Sequence, residues 1–163
     1  MTADPLDPTD WPVRNMAVIV RRHLRNLAKV LRPYGMTPQM MRVLNFLAEV
    51  GEENIGAIAD QSAYERSYVS RVIDRMVADG YLERAPVATD KRYTLVRLTD
   101  YGYSRWEEVI PAVRTLMEHT VSGLSPDELG AFVSAIRTVE RNVNNADAAM
   151  IKPPRTAARR AAS

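Results

Sequence analysis

Two charged clusters contain the residues of this sequence that are best suited to binding chemistry. One is Asp90-Lys91-Arg92, at the centre of the stretch YLERAPVATDKRYTLVRLT. The other is the run RSYVSR, from Arg66 to Arg71. Arginine and lysine donate charge-assisted hydrogen bonds, and arginine can hold phosphate or guanine with two parallel bonds. Both clusters therefore indicate an anionic partner, and the elements around them must position the charges.

Composition excludes several kinds of enzyme and sensor. The 163 residues include no cysteine, which excludes disulfides, thiolate metal sites and thiol-based redox sensing. His23 and His119 lie far apart in the sequence and have no partner at metal-ligand spacing, so we expect no metal site. The sequence contains no glycine-rich phosphate loop and no nucleophile elbow. We therefore expect neither an enzyme nor a cofactor.

Net charge alone gives little support for binding to nucleic acid. The formal charge is +2, but four basic residues and no acid lie between Lys152 and Ser163, so the rest of the chain is slightly acidic. Such binding must come from local placement of charge. No apolar run approaches the length of a membrane span, and the start MTADPLDPTDW is unlike a signal peptide. We expect a cytoplasmic protein with no membrane partner.

Helical spacing of apolar residues dominates the first half of the sequence. It predicts helices at about 11–32, 37–51 and 54–61, and a fourth that follows a break near 62–64 and ends at Gly80. Thr37 is the expected cap of the second helix, with Pro38 as its first residue and Gly51 as its end. The fourth helix has an apolar stripe made of Val69, Val72, Ile73 and Met76. Its other face is polar and cationic. Two helices joined by a short turn, the second cationic outward, are typical of a helix-turn-helix.

The stretch around Asp90-Lys91-Arg92 has the pattern of a β-hairpin. Its flanks, Tyr81 to Arg84 and Tyr93 to Leu98, are rich in aromatic, Leu and Val residues, and Pro86 favours a turn between them. The three charged residues then lie at the tip. Helix, helix and hairpin, in that order, make a winged helix, whose wing carries cations to a phosphate backbone or a minor groove.

Two further helices are predicted after the hairpin. Thr99 or Asp100 caps a long helix that reaches about Ser122, and a capping box from Ser125 to Glu128 opens the last one. The last helix has an apolar stripe of six residues: Leu129, Phe132, Val133, Ile136, Val139 and Val143. The terminal helices carry more apolar surface than the central part can cover, so we expect a homodimer. Residues 1–10 and 150–163 are expected to be flexible termini.

Three stretches resemble the MarR family of bacterial winged-helix regulators. They are MTPQMMRVLNFL, SYVSRVIDRMVADGYLER and DKRYTLVRLTDYG, in the order and spacing of that family. The resemblance implies a mainly α fold with a small β-hairpin, in one domain over residues 11–145. Within it, 37–98 would form the winged helix-turn-helix lobe, and 11–33 and 99–145 the dimerisation helices. It also implies a homodimer on a pseudo-palindromic double-stranded DNA operator, repression of a neighbouring gene, and often release by a small aromatic or phenolic ligand.

Roles for individual residues follow from chemistry and from matched positions. The residues expected to contact DNA are Arg66, Ser67, Tyr68, Ser70 and Arg71 on the recognition helix and Asp90, Lys91 and Arg92 on the wing. By the resemblance, Arg92 enters a minor groove and Asp90 orients it. An alternative for Arg71 is a surface ion pair with Asp74 or Glu65. For Arg75 an internal ion pair is favoured over a DNA contact.

An effector pocket is a further expectation that the resemblance suggests. The residues assigned to it are Tyr34, Met36, Met40 and Tyr64 as apolar walls, with Arg21 or His23 as the partner of an anion. The alternative is that Tyr34 and the nearby methionines belong to the core. A winged helix that binds only protein partners also remains open, and it would show no salt-dependent affinity for duplex DNA. Ser62, Glu65 and Tyr68 depart from the family pattern, which puts the operator sequence in doubt.

Overall fold

Helices make up most of the fold. The computed structural model describes residues 11–62, 64–86 and 94–146. In chain order its elements are α1 (Pro12–Leu31), α2 (Pro38–Val50), β1 (Glu52–Asn54), α3 (Ile55–Ser62), α4 (Arg66–Ala78), β2 (Leu82–Pro86), β3 (Thr94–Leu98), α5 (Asp100–Thr120) and α6 (Pro126–Asn144). A 3₁₀ turn, Arg32–Tyr34, links α1 to α2. The chain divides into two compact units, one up to Thr120 and one from Val121. No helix in the described part is long and apolar enough to cross a bilayer.

Local capping fixes the start of α2 as the sequence predicts. The Thr37 hydroxyl accepts a hydrogen bond from the Met40 N–H at 3.2 Å, and Pro38 occupies the first turn, where a missing N–H costs no helical bond. The helix ends at Gly51, whose φ of 85° few other residues adopt. These two signals place the buried side chains of α2, Val43, Leu44 and Leu47 among them, against the centre of the first unit.

The sheet has one strand more than the predicted hairpin. Its order is β1-β3-β2, and both pairings are antiparallel. Strand β1 pairs Glu52 with Arg97 and Asn54 with Leu95. Its sequence, Glu-Glu-Asn, lacks the apolar alternation of a half-buried strand, so only the exposed edge of β3 makes it a strand. Pro86, predicted in the turn, is instead the last residue of β2.

One apolar core holds the first unit together. Side chains from α1, α2, α3, α4, α5 and the sheet form it, and those with no more than 2% of their surface exposed include Leu31, Leu44, Leu47, Ile58, Ile73, Met76, Leu82, Val96 and Val109. The predicted inward stripe of α4 is confirmed, since Val69, Ile73 and Met76 are buried in the core. Met36 and Met41 are buried in it, and Tyr34 and Met40 pack against it, so the core interpretation of that cluster is also confirmed.

The start of α5 is hydrogen-bonded to the turn that follows α4. The Thr99 hydroxyl donates to the Gly80 carbonyl at 2.6 Å and accepts from the Gly102 N–H at 2.9 Å, which makes Thr99 the cap. A Cβ on Gly102 would overlap the Tyr81 carbonyl oxygen and lie 2.9 Å from its carbon. Only glycine permits this approach. The Leu-Thr-x-x-Gly pattern after the wing therefore has a steric and hydrogen-bonding reason.

Arg105, near the start of α5, forms hydrogen bonds that link this helix to the 3₁₀ turn. Its Nη2 donates to the Tyr34 carbonyl at 2.8 Å, and its Nη1 donates to Glu108. Burial acts to lower the pKa of Arg105, but its hydrogen bonds to Tyr81 and Glu108 outweigh burial and the pKa is raised. Nearby, the Trp106 indole donates to the Asn45 side chain at 2.8 Å. Polar bonds thus connect α5 to the 3₁₀ turn, α2 and the residue before β2.

The second unit consists mainly of α6. Its predicted capping box is confirmed: the Ser125 hydroxyl accepts from the Glu128 N–H at 3.3 Å, and the Glu128 carboxylate accepts from the Ser125 N–H at 2.8 Å. None of its residues is buried. Phe132, Val133 and Ile136 are 47%, 39% and 39% exposed, so the predicted apolar stripe lies open to solvent in the single chain.

Candidate nucleic-acid interface

Helix α4 separates its residues by chemistry, as the sequence predicts for a recognition helix. Val69, Ile73 and Met76 are buried in the core. Arg66, Ser67, Tyr68 and Arg71 are exposed, and Ser70 is half-buried. Glu65 precedes the helix and makes no side-chain cap, so the first N–H groups of α4 stay available to an anion outside. The five predicted contact residues of α4 thus lie in its first turn and a half.

Arg71 is not engaged by either acid proposed as its partner. Its Nε donates to the Ser67 carbonyl of its own helix at a long 3.4 Å. The Asp74 carboxylate instead accepts from Nη2 of Arg84, on β2, at 2.5 Å. No ion pair with Glu65 occurs among the described residues. The guanidinium of Arg71 therefore remains exposed and able to bind an external anion or base.

Arg75 forms the internal ion pair that its position predicts. Its Nε donates to the Asp79 carboxylate at 2.8 Å, one helical turn later. The hydrogen bond and the charge of Asp79 raise the pKa of Arg75. Because the pair is exposed, it adds little to stability. Its effect is to neutralise one of the three arginines of α4.

Tyr68 of α4 borders a surface that α4 shares with the start of α2. Its ring packs at a tilt against Tyr64, with 5.5 Å between the centroids, and 37% of the residue is exposed. An open cavity of about 400 Å³ is lined by Thr37, Gln39, Met40, Tyr68, Arg71, Val72 and Arg75. The amino end of α2 and the cationic face of α4 therefore border one concave surface. Ser62, the polar substitution nearby, is buried and its hydroxyl donates to the Ala59 carbonyl at 2.9 Å.

The described part of the wing is a charged two-stranded arm. Arg97 of β3 donates to Glu83 of β2 at 2.6 Å, and the two residues lie opposite each other in the sheet. Strand β2 ends at Pro86 and β3 begins at Thr94. Asp90, Lys91 and Arg92, the predicted tip, lie outside the described residues. The antiparallel pairing of β2 with β3 confirms the two strands of the predicted hairpin.

The six residues assigned to an effector pocket line different surfaces. Met36 is buried in the core, and Tyr34 packs against the core. The Tyr34 backbone carbonyl accepts a hydrogen bond from Arg105. Met40 lines the cavity beside α4, and Tyr64 lines a separate one at the α3–α4 turn. Arg21 lines an open cavity of about 910 Å³ along α1. His23 is half-buried on the same helix.

The cavity along α1 combines apolar walls with positive charge. Its apolar lining comes from Val13, Met16, Ala17, Val20, Leu24 and Ala28. Arg21 and Arg25 supply the cations, and Thr37, Pro38 and Gln39 place the amino end of α2 on the same wall. A carboxylate fits such a wall, since both guanidinium groups and the positive end of a helix attract it. Sequence reasoning did not identify Arg25, although it lies one turn after Arg21.

Two other functional candidates escaped sequence reasoning. Arg84 and Arg97 lie on strands, where charged residues usually indicate a solvated face, and their partners Asp74 and Glu83 are 10 and 14 residues away. No local spacing rule links such pairs. Among the described residues, no cluster of His, Asp and Glu has the geometry of a metal site.

Comparisons with known proteins identify the family. A family model described as MarR family matches residues 34–92. YkoM of Bacillus subtilis, an uncharacterized HTH-type transcriptional regulator, is 30% identical over 106 residues, which cover 65% of this chain and 69% of YkoM. The chain belongs to the MarR family. The HTH-type transcriptional repressor IacR of Pseudomonas putida is 26% identical over 141 residues, with 86% of this chain and 84% of IacR covered.

Solved structures of MarR and of another DNA-binding protein have the same fold. A mutant MarR from E. coli, complexed with operator DNA, superposes with a TM-score of 0.71 at 24% identity and covers 77% of this chain and 91% of its own. BpsR of Bordetella bronchiseptica, in a structure that concerns regulation of its DNA binding by 6-hydroxynicotinic acid, is 25% identical with a TM-score of 0.71. That match covers 78% of this chain and 96% of BpsR. As a MarR-family member, this protein is a DNA-binding transcriptional regulator and not an enzyme. Helices α3 and α4 are its helix-turn-helix, and β2 and β3 form its wing.

Proposed function

We propose that the protein is a homodimeric repressor that binds a pseudo-palindromic operator next to its own gene and leaves it when a small aromatic acid binds. The observation that carries the proposal is the free cationic face of α4. Arg71 is exposed with no carboxylate partner in the described chain, while Asp74 and Asp79 are both engaged elsewhere. An arginine kept free on a helix of this family is available to a base edge or a phosphate.

The first turns of α4 enter the major groove. The long side chains of Arg66 and Arg71 contact bases or phosphates. The hydroxyl groups of Ser67, Tyr68 and Ser70 form hydrogen bonds to DNA groups closer to the helix. Support comes from their exposure on one side of a helix whose opposite side is core. Gln39, which borders the same cavity as Arg71, adds a phosphate contact from the amino end of α2.

The wing supplies the second contact. Strands β2 and β3 extend as a pair, and the residues between them include Asp90, Lys91 and Arg92. Arg92 inserts into a narrow minor groove, where negative potential is strongest, and Asp90 orients its guanidinium. Lys91 contacts a phosphate. This assignment rests on the sequence and on membership of the family.

A second copy of the chain completes the protein. Helix α6 exposes Phe132, Val133, Ile136 and Val143, and α1 exposes Ile19 and Val20. Apolar surfaces of this extent favour association. A dimer also presents two α4 helices to two successive major grooves, about 10 bp apart, which makes a pseudo-palindromic operator the natural target.

A small aromatic acid is the proposed effector. The cavity along α1 offers apolar walls, Arg21 and Arg25 for a carboxylate, and the amino end of α2. The regulation of BpsR by 6-hydroxynicotinic acid, an aromatic acid, agrees with this ligand class. His23, Tyr34, Met36, Met40 and Tyr64 remain proposed contributors, and they require a rearrangement to join Arg21 around one ligand.

A footprint on DNA flanking the gene tests the proposed function. We expect protection of two half-sites about 10 bp apart, and a fall of log affinity with log salt at a slope of about −7 if about eight phosphates are neutralised. Equal affinity for random duplexes, or a flat salt response, indicates a module that binds only protein partners. For the effector, a thermal-shift screen of benzoates, cinnamates and phenols should raise the Tm of the wild type, and less so of Arg21→Gln. A screen in which no compound raises the Tm or changes DNA affinity contradicts this ligand class.

A further inference from the structure

Asp74 is an unexpected residue on the recognition helix. It is the single carboxylate of α4, whose sequence RSYVSRVIDRMVA contains three arginines. A carboxylate on a helix that binds DNA repels phosphate. The side chain is 58% exposed, so burial does not account for it. Its hydrogen bond at 2.5 Å to Arg84 of β2 suggests what it does.

The Asp74–Arg84 ion pair lies where β2 leaves the core. Leu82, two residues before Arg84 and therefore on the same face of the strand, is 2% exposed and packs in the core. The Arg84 side chain lies on that same face of β2, and its guanidinium contacts the Asp74 carboxylate of α4. In the described part of the chain, no other hydrogen bond joins a side chain of α4 to β2. The pair is thus the one polar side-chain link between helix and wing strand that the described residues contain.

The other face of β2 carries Glu83. Glu83 and Arg97 lie opposite each other in the antiparallel pair and form an ion pair at 2.6 Å. In addition to the backbone pairing of β2 with β3, one side-chain ion pair therefore links β2 to β3 and another links β2 to α4, at adjacent residues 83 and 84. A change in the position of α4 relative to the wing must break or move the Asp74–Arg84 pair.

We propose that Asp74 and Arg84 are positioning residues for DNA binding, because their ion pair holds the wing at a fixed place relative to α4. The inference rests on the proposed function, in which α4 and the wing contact one duplex. Two elements that bind the same partner gain affinity when their spacing is fixed in advance. The gain is at most about five-fold per lobe, the upper value for an exposed ion pair, and about 25-fold for two lobes.

The decisive variant is Asp74→Asn. Its affinity is measured by fluorescence anisotropy for a duplex recovered from a random pool by repeated selection with the wild-type protein, and for a random duplex. We expect weaker binding to the selected duplex, by about five-fold or more, and little change for the random one. This is the opposite of what charge alone predicts, since the variant is more positive than the wild type. Arg84→Lys, which keeps a cation within reach of Asp74, should recover part of the affinity that Arg84→Gln loses.

The double variant separates a link from two independent charges. Asp74→Asn removes the negative charge of the pair and Arg84→Gln its cation, so the ion pair is lost in either variant, and the double variant should bind the selected duplex no more weakly than Arg84→Gln alone. Hydrogen exchange of the β2 amides gives a second readout, and it should rise in both single variants. Because the pair is exposed, the Tm should stay within a few degrees of the wild type.

A charge-matched control lies at the end of α2. Glu49→Gln adds the same charge as Asp74→Asn, at an exposed position outside the helices assigned to the dimer. It should not lower the preference for the selected duplex. Tighter or unchanged binding by Asp74→Asn overturns the inference, as does an equal loss on both duplexes. A wild type that binds no duplex overturns the proposed function itself, so the two failures are distinguishable.

Discussion

Single residues decide which charges of the recognition helix are free. Of the two acids that follow Arg71, Asp74 is taken by Arg84 and Asp79 by Arg75, while Arg71 keeps only a 3.4 Å bond to a backbone carbonyl. An ion pair predicted from spacing alone would have joined Arg71 to Asp74, three residues later on the helix. The structure shows that a strand residue competes for that acid, and this could not be read from local spacing.

Removal of the Arg71 guanidinium should weaken operator binding with little effect on folding. Arg71→Gln is expected to cost about 1–3 kcal/mol of binding free energy and to relax the preference for one base pair. Anisotropy titrations against operator variants measure both effects. Arg114→Gln removes the same charge from exposed α5, and an equal loss there would mean that Arg71 acts only through net charge.

A methyl group on Gly102 should destabilise the first unit. The added Cβ would overlap the Tyr81 carbonyl oxygen and lie 2.9 Å from its carbon, both backbone atoms that cannot swing away. We expect Gly102→Ala to lower the free energy of unfolding by about 2 kcal/mol or more, measured by urea denaturation. Gly130→Ala is the matched control, since nothing lies within 4 Å of that position in α6, and there alanine should stabilise. Similar effects at both sites would contradict the steric reason.

At the scale of elements, helix caps and helical spacing of apolar residues were sufficient to predict helix starts and buried faces. Thr37 and Ser125 were identified as caps from sequence, and both make the expected backbone hydrogen bonds. The inward stripe of α4 was identified from helical spacing and is buried. Strand β1 was missed, because Glu52–Asn54 becomes a strand only through its pairing with β3, which lies far along the chain. Backbone pairing between residues so far apart in the chain leaves no pattern in the local sequence.

The start of α6 should respond to pH through its capping box. The backbone and side-chain hydrogen bonds of Ser125 hold the pKa of Glu128 below its ordinary value. A carboxyl with a lowered folded-state pKa stabilises the helix above its unfolded pKa, and this contribution is lost as pH falls through the folded pKa. Ser125→Ala should return the pKa of Glu128 toward the ordinary value and reduce the acid dependence of α6. An NMR titration of the Glu128 side chain in the wild type and in the variant measures it; an unmoved Glu128 pKa would refute the assignment.

At the scale of the whole molecule, the open stripe of α6 predicts obligate association. Ile136 is 39% exposed in the single chain and lies near the middle of the stripe. Ile136→Asp places a charge in the expected interface, and burial of an unpaired charge is costly. Sedimentation equilibrium should show a shift from dimer to monomer or loss of folded protein, together with loss of operator binding. Ser134→Asp, on the opposite face of the same helix, should leave the dimer intact, and a dimer retained in both variants would contradict the interface.

The family could be recognised from sequence, and the exact partners of its charges could not. Order and spacing of helices and wing depend on hydrophobic period, caps and turns, all of which are local. The effector assignment from sequence grouped Tyr34, Met36 and Met40 by proximity along the chain, whereas the structure distributes them between the core and a cavity beside α4. Membership of a surface is set by packing, which neighbouring residues in sequence do not determine.

The bond between Thr99 and the Gly80 carbonyl, together with the missing side chain of Gly102, holds the first turn of α5 against the backbone that leads into β2. Helix α5 has 21 residues and would measure about 30 Å if it were straight, with Pro111 near its middle. Because proline lacks the N–H that would bond one turn back, the second half of α5 can bend without moving the first turn. A displacement of the first half of α5 should therefore turn the base of the wing, whereas one that begins near Thr120 can be taken up at Pro111.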